Sequence, residues 1–489
     1  MPIRAFCDFR LRGTLLLAVL LGGCSLHRSA PAPAESLPNH FQRADSSAAP
    51  YLVRDPQRAA LWKQPIIQGW IHKGLTHNPS LQAALSSLQA AHEQTLAQQA
   101  SLLPDLSAGY SGQRATVSNA LSSPLQVPAS PYTLHTAQVS VSYVPDVFGL
   151  NHEMLYSLQA QEALNAAQYD AARLALANTI TATAIQLAWA EDASTLTQQM
   201  LADTHQLTQM IQQGMILGFN TRMDLLQQEQ QEQQTAAQIP LWNKQKEQSL
   251  DALAVLTGQT PDQLHAKTIH LSDLIDTATP SLTLPASWVR QRPDIRAAEA
   301  QVHSAAAGLG IAIASRWPQF SLTAAWGGES TLLSRTLSPA DRFWSLGAGI
   351  TQPIFDFGVL KHRQKAAQAT LQETESQYHM TVLQGLQNVA DSLYALQTDE
   401  QSLQQARLQA KAAADLLASS QHRVDSGLTS GIDLLQNGIL GLQAQLNQLQ
   451  WEASRLQDLV ALRLALGSKV TDDNGAAQAQ PRDQKPDRD

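Results

Sequence analysis

Cys24 is the residue whose surroundings point to covalent chemistry. Arg4, Arg10 and Arg12 form a basic stretch, and Thr14 to Leu21 is an apolar run too short to span a bilayer. Leu21-Gly22-Gly23 then places small residues directly before the thiol. This arrangement resembles the bacterial lipobox, in which the chain is cut before the cysteine and the thiol is diacylated. An ordinary signal peptide with an incidental cysteine is the plainer alternative. Ser25 follows; an aspartate there would resemble an inner-membrane retention signal, so serine points to the outer membrane. The other cysteine is Cys7, inside the leader, so the chain carries no disulfide framework and no thiolate metal site.

Other residues with reactive side chains lack reactive spacing. His152-Glu153 has no second histidine four residues on, so no zinc-protease site follows. Gly308-Leu309-Gly310 and Gly347-Ala348-Gly349 lack the third glycine and the strand–turn–helix setting of a dinucleotide loop. No phosphate-binding loop and no Gly-x-Ser-x-Gly elbow occurs. The 14 histidines are scattered. We therefore expect no catalytic residues, no metal and no cofactor. A net charge of −8 gives no reason to expect nucleic acid as a partner.

The positioning elements emerge when the chain is compared with itself. Asn78-Pro79-Ser80-Leu81-Gln82-Ala83-Ala84 matches Arg292-Pro293-Asp294-Ile295-Arg296-Ala297-Ala298, and Leu103-Pro104-Asp105-Leu106-Ser107 matches Trp317-Pro318-Gln319-Phe320-Ser321, both at an offset of 214. The offset then becomes 209 and holds without a gap. It takes Phe148-Gly149 to Phe357-Gly358, and Tyr169 to Tyr378. It also takes Gly218, Asp224-Leu225-Leu226-Gln227 and Gly258 to Gly427, Asp433-Leu434-Leu435-Gln436 and Gly467. Each half predicts one opening helix (about Pro65 to Leu102, and Pro293 to Arg316) ended by a proline. Two strands follow. A very long helix (about Leu150 to Met215, and Val359 to Val424), a glycine turn and a return helix complete the half.

The strands alternate. Leu106, Ala108 and Tyr110 sit between Ser107, Gly109 and Ser111; Val139, Val141 and Tyr143 between Gln138, Ser140 and Ser142. Leu322, Ala324 and Trp326 sit between Ser321, Thr323 and Ala325; Trp344, Leu346, Ala348 and Ile350 between Ser345, Gly347, Gly349 and Thr351. A half-buried soluble sheet would show such alternation, and so would a membrane barrel with lipid outside and water inside. Four strands cannot close a barrel, for which about eight is the lower limit. Subunits must pool strands, and because a barrel of about eight strands is filled by its own side chains, an open duct favours three chains. No segment suits a transmembrane helix: the stretch Leu174 to Ala190 is broken by Asn178, three threonines and Gln186.

The helices carry heptads. Ile432, Ile439, Leu446, Ala453 and Val460 lie seven apart, with Leu435, Leu442, Leu449 and Leu456 as the second seam. Val382, Val389, Leu396, Leu403, Ala410, Leu417 and Val424 form another seven-residue series. Such seams predict an antiparallel coiled-coil hairpin. Pro240 stands where the second repeat has Leu449 and predicts a kink in the first return helix.

Together these features resemble the outer-membrane efflux lipoproteins of the TolC/OprM type, closest to the NodT-like branch. The resemblance rests on the lipobox, the duplicated pattern, Leu284-Pro285 with Arg292-Pro293-Asp294-Ile295-Arg296-Ala297-Ala298-Glu299-Ala300, Gln352-Pro353-Ile354-Phe355-Asp356-Phe357-Gly358, and Leu434-Leu435-Gln436. It implies an α+β membrane protein, a homotrimer whose strands close one transmembrane antiparallel β-barrel above a long coiled-coil helical barrel. It implies a passive duct lipid-anchored in the outer membrane at Cys24, docked through a periplasmic adaptor onto an inner-membrane transporter. The family's adaptor-contacting tip falls on Gly218, Thr221, Gly427 and Ser430, where turn chemistry alone would also call for these residues. The family's entrance constriction falls on Gln212, Asp415, Gln421 and Asp425; glutamines replace the usual aspartate ring, which weakens that assignment. The expected division is a leader over 1–23, a tether over 24–64, repeats over 65–262 and 286–470, a connector over 263–285 and an unstructured tail over 471–489. A lipidated periplasmic adaptor or a structural coiled-coil envelope protein is the alternative, opposed by the tandem repeat. The exported solute and the cognate pump are not legible.

Overall fold

The computed structural model describes residues 60–116, 131–264, 268–274 and 291–467. Cys7 and Cys24 with the leader and nearly all of the tether, Leu284-Pro285 with most of the 263–285 connector, and the 471–489 tail lie outside the described residues.

After a 3₁₀ turn at Ala60–Lys63, helices α1 (Pro65–His77) and α2 (Pro79–Ala100) lead to strands β1 (Asp105–Ala115) and β2 (Tyr132–Tyr143). Helix α3 (Leu150–Ile216) runs to the first tip, and α4 (Arg222–Ala236) and α5 (Gln238–Leu256) return. The short α6 (Leu271–Leu274) precedes the second repeat: α7 (Pro293–Ala314), β3 (Gln319–Ser330), β4 (Arg342–Thr351), α8 (Val359–Asp425) and α9 (Gly431–Ala465). Helices α3 and α8 are each 67 residues long. Among the described residues, no helix is long and apolar enough to cross a membrane.

Two compact units divide these elements. One contains the described residues of Ser87–Ala166 and Ala297–His379, and the other those of 60–86, Ala167–Arg296 and Met380 to residue 467.

In the first unit the four strands form one antiparallel sheet in the order β1-β2-β3-β4. Among the described residues β1 and β4 each pair on one side, leaving two open edges. The strands run 10 to 12 residues, longer than the alternating cores that mark them in the sequence. The helical segments of this unit are joined by His92 Nδ1 to Glu162 Oε1 at 2.9 Å, and by Ser157 to Ser304 at 3.3 Å.

In the second unit the core gathers Ile67, Trp70 and Ile71 of α1, Ala177, Ile180, Ala184 and Ile185 of α3, Leu253 of α5, Leu271 and Leu274 of α6, and Leu456 and Val460 of α9. The expected unbroken opening helix is instead two helices. Asn78 stops α1 in an extended conformation, and its Oδ1 accepts the N–H groups of Ser80 and Leu81 at 2.9 and 3.1 Å. Pro79 then occupies the first position of α2, where its missing N–H costs nothing. The Asn78 side chain also donates to the Leu256 carbonyl at 3.0 Å. In the second repeat Arg292, which aligns with Asn78, donates to the Ala465 carbonyl at 2.5 Å. Each repeat thus ties the start of one helix to the end of its own return helix. Two glycines complete this seam: a Cβ on Gly258 would strike the His77 carbonyl, and one on Gly467 would meet the Arg292 backbone.

The return helices differ. Helix α9 is continuous over 35 residues, whereas the first return helix divides between Ala236 and Gln238. Pro240 lacks the N–H that would bond the Ala236 carbonyl, and its ring crowds that oxygen, so the break falls just before the proline. The heptad positions are buried at Val382, Val389, Leu396 and Leu403 and half-buried at Ala410, Leu417 and Val424.

Candidate functional site

Strand register sorts the sheet into two chemically distinct faces, because side chains one residue apart point to opposite sides. Ala108, Val139, Trp326 and Trp344 lie in one cross-strand row, and Leu106, Val141, Ala324 and Leu346 in the next. Tyr143, Leu322 and Ala348, then Phe320 and Ile350, continue the same face. The opposite face aligns Ser107, Ser140, Ala325 and Ser345, with Ser142, Thr323 and Gly347 beside them. The Ser107 and Ser140 hydroxyls meet at 2.9 Å. The apolar face is bare in the single chain: Leu106 is 69% exposed, Trp344 78% and Leu346 79%. Such an apolar surface in water is an interaction surface. Paired with a second face whose central rows are small and uncharged, it has the polarity of a membrane barrel wall.

The helix-proximal end of the sheet is aromatic. Phe148 stacks on Trp317 and Phe320 at 5.3 and 6.2 Å, and Phe355 meets Phe357 edge-on at 4.5 Å. Phe357 is 88% exposed and holds φ at +54°. Aromatic rings suit the boundary between hydrocarbon and water, where one part of the ring is dry and the other wet.

In the second unit both glycine turns have one construction. Gly218 and Gly427 hold φ at +80° and +70°. Phe219 N–H reaches back to the Gly214 carbonyl at 2.7 Å, and Leu428 N–H to Arg423 at 2.8 Å, so each long helix ends in a Schellman turn. The next helix starts under a cap. Thr221 and Asp224 form a reciprocal capping box, with Thr221 N–H donating to Asp224 Oδ2 at 2.7 Å and Asp224 N–H to Thr221 Oγ1 at 3.2 Å. In the second turn Ser430 occupies the cap position, and Thr429 and Ser430 both donate their hydroxyls to Asp433. These bonds hold both carboxyls below their ordinary values, through the Thr221 backbone N–H foremost for Asp224 and the Thr429 hydroxyl foremost for Asp433. The acids had a sequence signal, Thr221-x-x-Asp224 and Ser430-x-x-Asp433, which is the capping-box spacing.

The turns differ in what they show to solvent. Ile216, Leu217 and Phe219 are 75%, 70% and 84% exposed. Their repeat counterparts are Asp425, Ser426 and Leu428, of which only Leu428 is apolar. Gln421 donates to Asp425 at 2.8 Å, which brings together two of the four expected constriction residues. Gln212 and Asp415 are exposed on α3 and α8.

Nearer the core, the 209 offset also relates two ion pairs. Glu191 pairs with Lys246 at 2.7 Å, and Glu400 with Arg455 at 2.5 Å. Beside the second pair Asp399 and Asp458 stand together, and burial, then the neighbouring carboxylate, pushes the Asp458 carboxyl up to about 6. The first repeat has Ala190 and Ser249 at these positions. The connector is tied to α3 by His270 Nδ1 and Leu271 N–H, which meet the Asp192 carboxylate at 2.6 and 2.8 Å; that bond holds the imidazole above its ordinary pKa. Nothing in the linear spacing of Asp399 and Asp458, or of Asp192 and His270, announces these meetings.

A sheet with lipid-like polarity and open edges, joined in sequence to duplicated long-helix hairpins, defines the class of outer-membrane ducts. A family model described as Outer membrane efflux protein matches residues 70–259 and 284–468, and the chain belongs to that family. Nodulation protein T of Rhizobium leguminosarum bv. trifolii is 25% identical over 93% of this chain and 96% of its own. Outer membrane protein OprJ of Pseudomonas aeruginosa is 26% identical over 93% and 94%. The fold matches the outer-membrane channel OprN with a TM-score of 0.81 at 23% identity, covering 91% of this chain and 99% of that one. It matches CusC with a TM-score of 0.76 at 21% identity, covering 91% and 100%. The protein is therefore the outer-membrane channel component of an efflux or secretion system that includes an adaptor and a pump.

Proposed function

We propose that three copies of this chain, each lipidated at Cys24, form a passive duct through the outer membrane whose periplasmic tips receive an adaptor hairpin. The open-edged sheet carries this reading: one chain exposes Leu106, Trp344 and Leu346 on a face that only lipid suits, and offers unpaired backbone at β1 and β4. Unpaired edges are not tolerated in hydrocarbon, so neighbouring copies must supply the partner strands. Three sheets then close a barrel wide enough to leave a lumen, lined by the serine, threonine and glycine face. The half-buried heptad positions toward the tip are covered by neighbouring copies in the same assembly.

The repeats span 65–262 and 286–470, joined by the 263–285 connector, with a tether before them and a tail after. At the tips, Gly218, Thr221, Gly427 and Ser430 shape the turns, and the exposed apolar residues beside Gly218 offer surface to an adaptor. Gln212, Asp415, Gln421 and Asp425 narrow the duct entrance. The energy of transport comes from the pump, and the chain catalyses no reaction.

The test is the purified mature protein. The expected result is a trimer by crosslinking, heat-modifiable migration on gels, conductance in planar bilayers, and loss of the acyl chains by mass spectrometry in Cys24→Ser. A water-soluble monomer without conductance overturns the reading.

A further inference from the structure

The outward sheet face changes character at the end away from the long helices. Beyond the Trp326–Trp344 row the register brings Tyr110, Ala137, Gly328 and Arg342 together, then Gly112, His135 and Ser330, then Arg114 and Thr133. The apolar wall thus becomes basic within a few residues. Arg342 is exposed, and among the described residues its guanidinium meets the Trp326 ring at 6.0 Å and no carboxylate. The His135 ring stacks on Tyr110 at 6.2 Å and bonds its hydroxyl at 2.8 Å. The acids nearby are accounted for: Glu329 lies on the opposite face, and Asp341 faces Arg335 at 3.6 Å.

A groove opens at the same place. The β3–β4 connection folds onto the sheet where Gly328 has no side chain; a Cβ there would collide with the Thr336 carbonyl. The following residue, Leu337, overhangs a groove of about 380 Å³ floored by Ala108, Tyr110, Ala137, Val139 and Trp326. The groove is apolar, open at the side and next to the arginine.

We propose that this groove and Arg342 bind a phosphate-bearing lipid of the outer leaflet, an acyl chain lying under Leu337 and the phosphate on the Arg342 guanidinium. The proposal rests on the barrel reading, which turns this face to lipid and places the strand–strand connections on the side opposite the periplasmic helices. Two features select the occupant. The groove is apolar and lies on a wall that the barrel reading turns to hydrocarbon, which suits an acyl chain better than a polar solute. A planar guanidinium with forked donors matches a phosphate group, and among the described residues no acid shares that row or the rows beyond it. Ordinary annular lipid would need neither the groove nor the charge.

The experiment uses the purified, delipidated trimer and measures retention of lipid A and of dephosphorylated lipid A by native mass spectrometry. Lipid A is expected to be held at least tenfold more tightly than the dephosphorylated form. Arg342→Gln is expected to erase that difference, and Gly328→Val, which displaces the loop, to weaken both. Equal retention of the two lipids, or wild-type preference in Arg342→Gln, overturns the site. Gels of the same samples separate the two readings: a normal trimer with indifferent binding removes the lipid site alone, whereas no trimer removes the barrel and the site with it.

Discussion

The two hairpins of this chain share a plan and differ in detail. Both long helices end in a glycine with positive φ, both return helices start under a hydroxyl–aspartate cap, and both carry an ion pair at corresponding positions. Yet the first return helix is broken before Pro240 and the second is continuous. The first tip is apolar at Ile216, Leu217 and Phe219, while the second is polar at Asp425 and Ser426. Arg455 is buried where Lys246 is half-exposed. What duplication kept is the backbone chemistry of turns and caps. What diverged is the exposed surface at the tips and the interior charge.

The largest expected effect separates the tips from each other. Gly427→Asp should abolish adaptor crosslinking at the second tip while leaving the trimer intact on gels, since a Cβ there meets only open space. Normal crosslinking and export in that variant would remove the tip assignment. Gly218→Asp tests the first tip in the same way, and unequal losses would show which turn bears more of the contact.

The next comparison is between tip glycines and seam glycines. All four of Gly218, Gly427, Gly258 and Gly467 have positive φ, so alanine costs about 1–2 kcal/mol of backbone strain at each. At Gly258 and Gly467 the added Cβ also meets backbone, which raises the loss by about 1–3 kcal/mol. Thermal melts of the solubilised trimer should rank Gly258→Ala and Gly467→Ala well below the tip variants. Equal melting points would mean that the seam contact does not exist.

Smaller effects distinguish the ion pairs. Arg455→Met leaves Glu400 without its partner and should cost about 2 kcal/mol, whereas Lys246→Met, at a wetter site, should cost less than about 1 kcal/mol. Denaturant titration of both variants measures the ratio, and an inverted order would show that burial does not rank the pairs.

The smallest effect is the pH response. The Asp458 carboxyl is raised from 3.8 to about 6, so folding favours its protonated form. The resulting stability is complete below the unfolded pKa and is lost as pH rises through about 6. The solubilised trimer should therefore melt lower at pH 7 than at pH 5 by an increment that Asp458→Asn removes. Ser249, the corresponding residue of the first repeat, should show no such effect when changed to alanine. A pH response unchanged in Asp458→Asn would place its source elsewhere.

Much of the architecture was legible because its signals are local. Alternation over Leu106 to Tyr110 and Trp344 to Ile350 gave the strands, since period two reports which face is dry. The seven-residue series ending at Val424 and Val460 marked the buried faces of α8 and α9, although the α9 face packs on α3 and other elements of the first repeat; Gly218 and Gly427 marked turns that need positive φ. The opening helix reads as unbroken in the sequence because Asn78-Pro79 sits inside an otherwise helical pattern. Its role as a stop depends on Asn78 capping α2 and reaching the Leu256 carbonyl, a residue far along the chain. The break before Pro240 was expected from the ring chemistry, but its place at Ala237 follows from the carbonyl that loses its donor.

The sequence by itself determined the duplication, the strand faces and the turn chemistry, because periodicity and backbone preference act between residues close in the chain. Only the tertiary structure decided which charges meet. Asp399 and Asp458 come from opposite arms of a hairpin, Arg292 reaches the end of α9, and Arg463 is buried over the Trp62 ring at 3.9 Å. Those meetings depend on how helices pack, and packing is a property of surfaces that no single stretch of sequence contains.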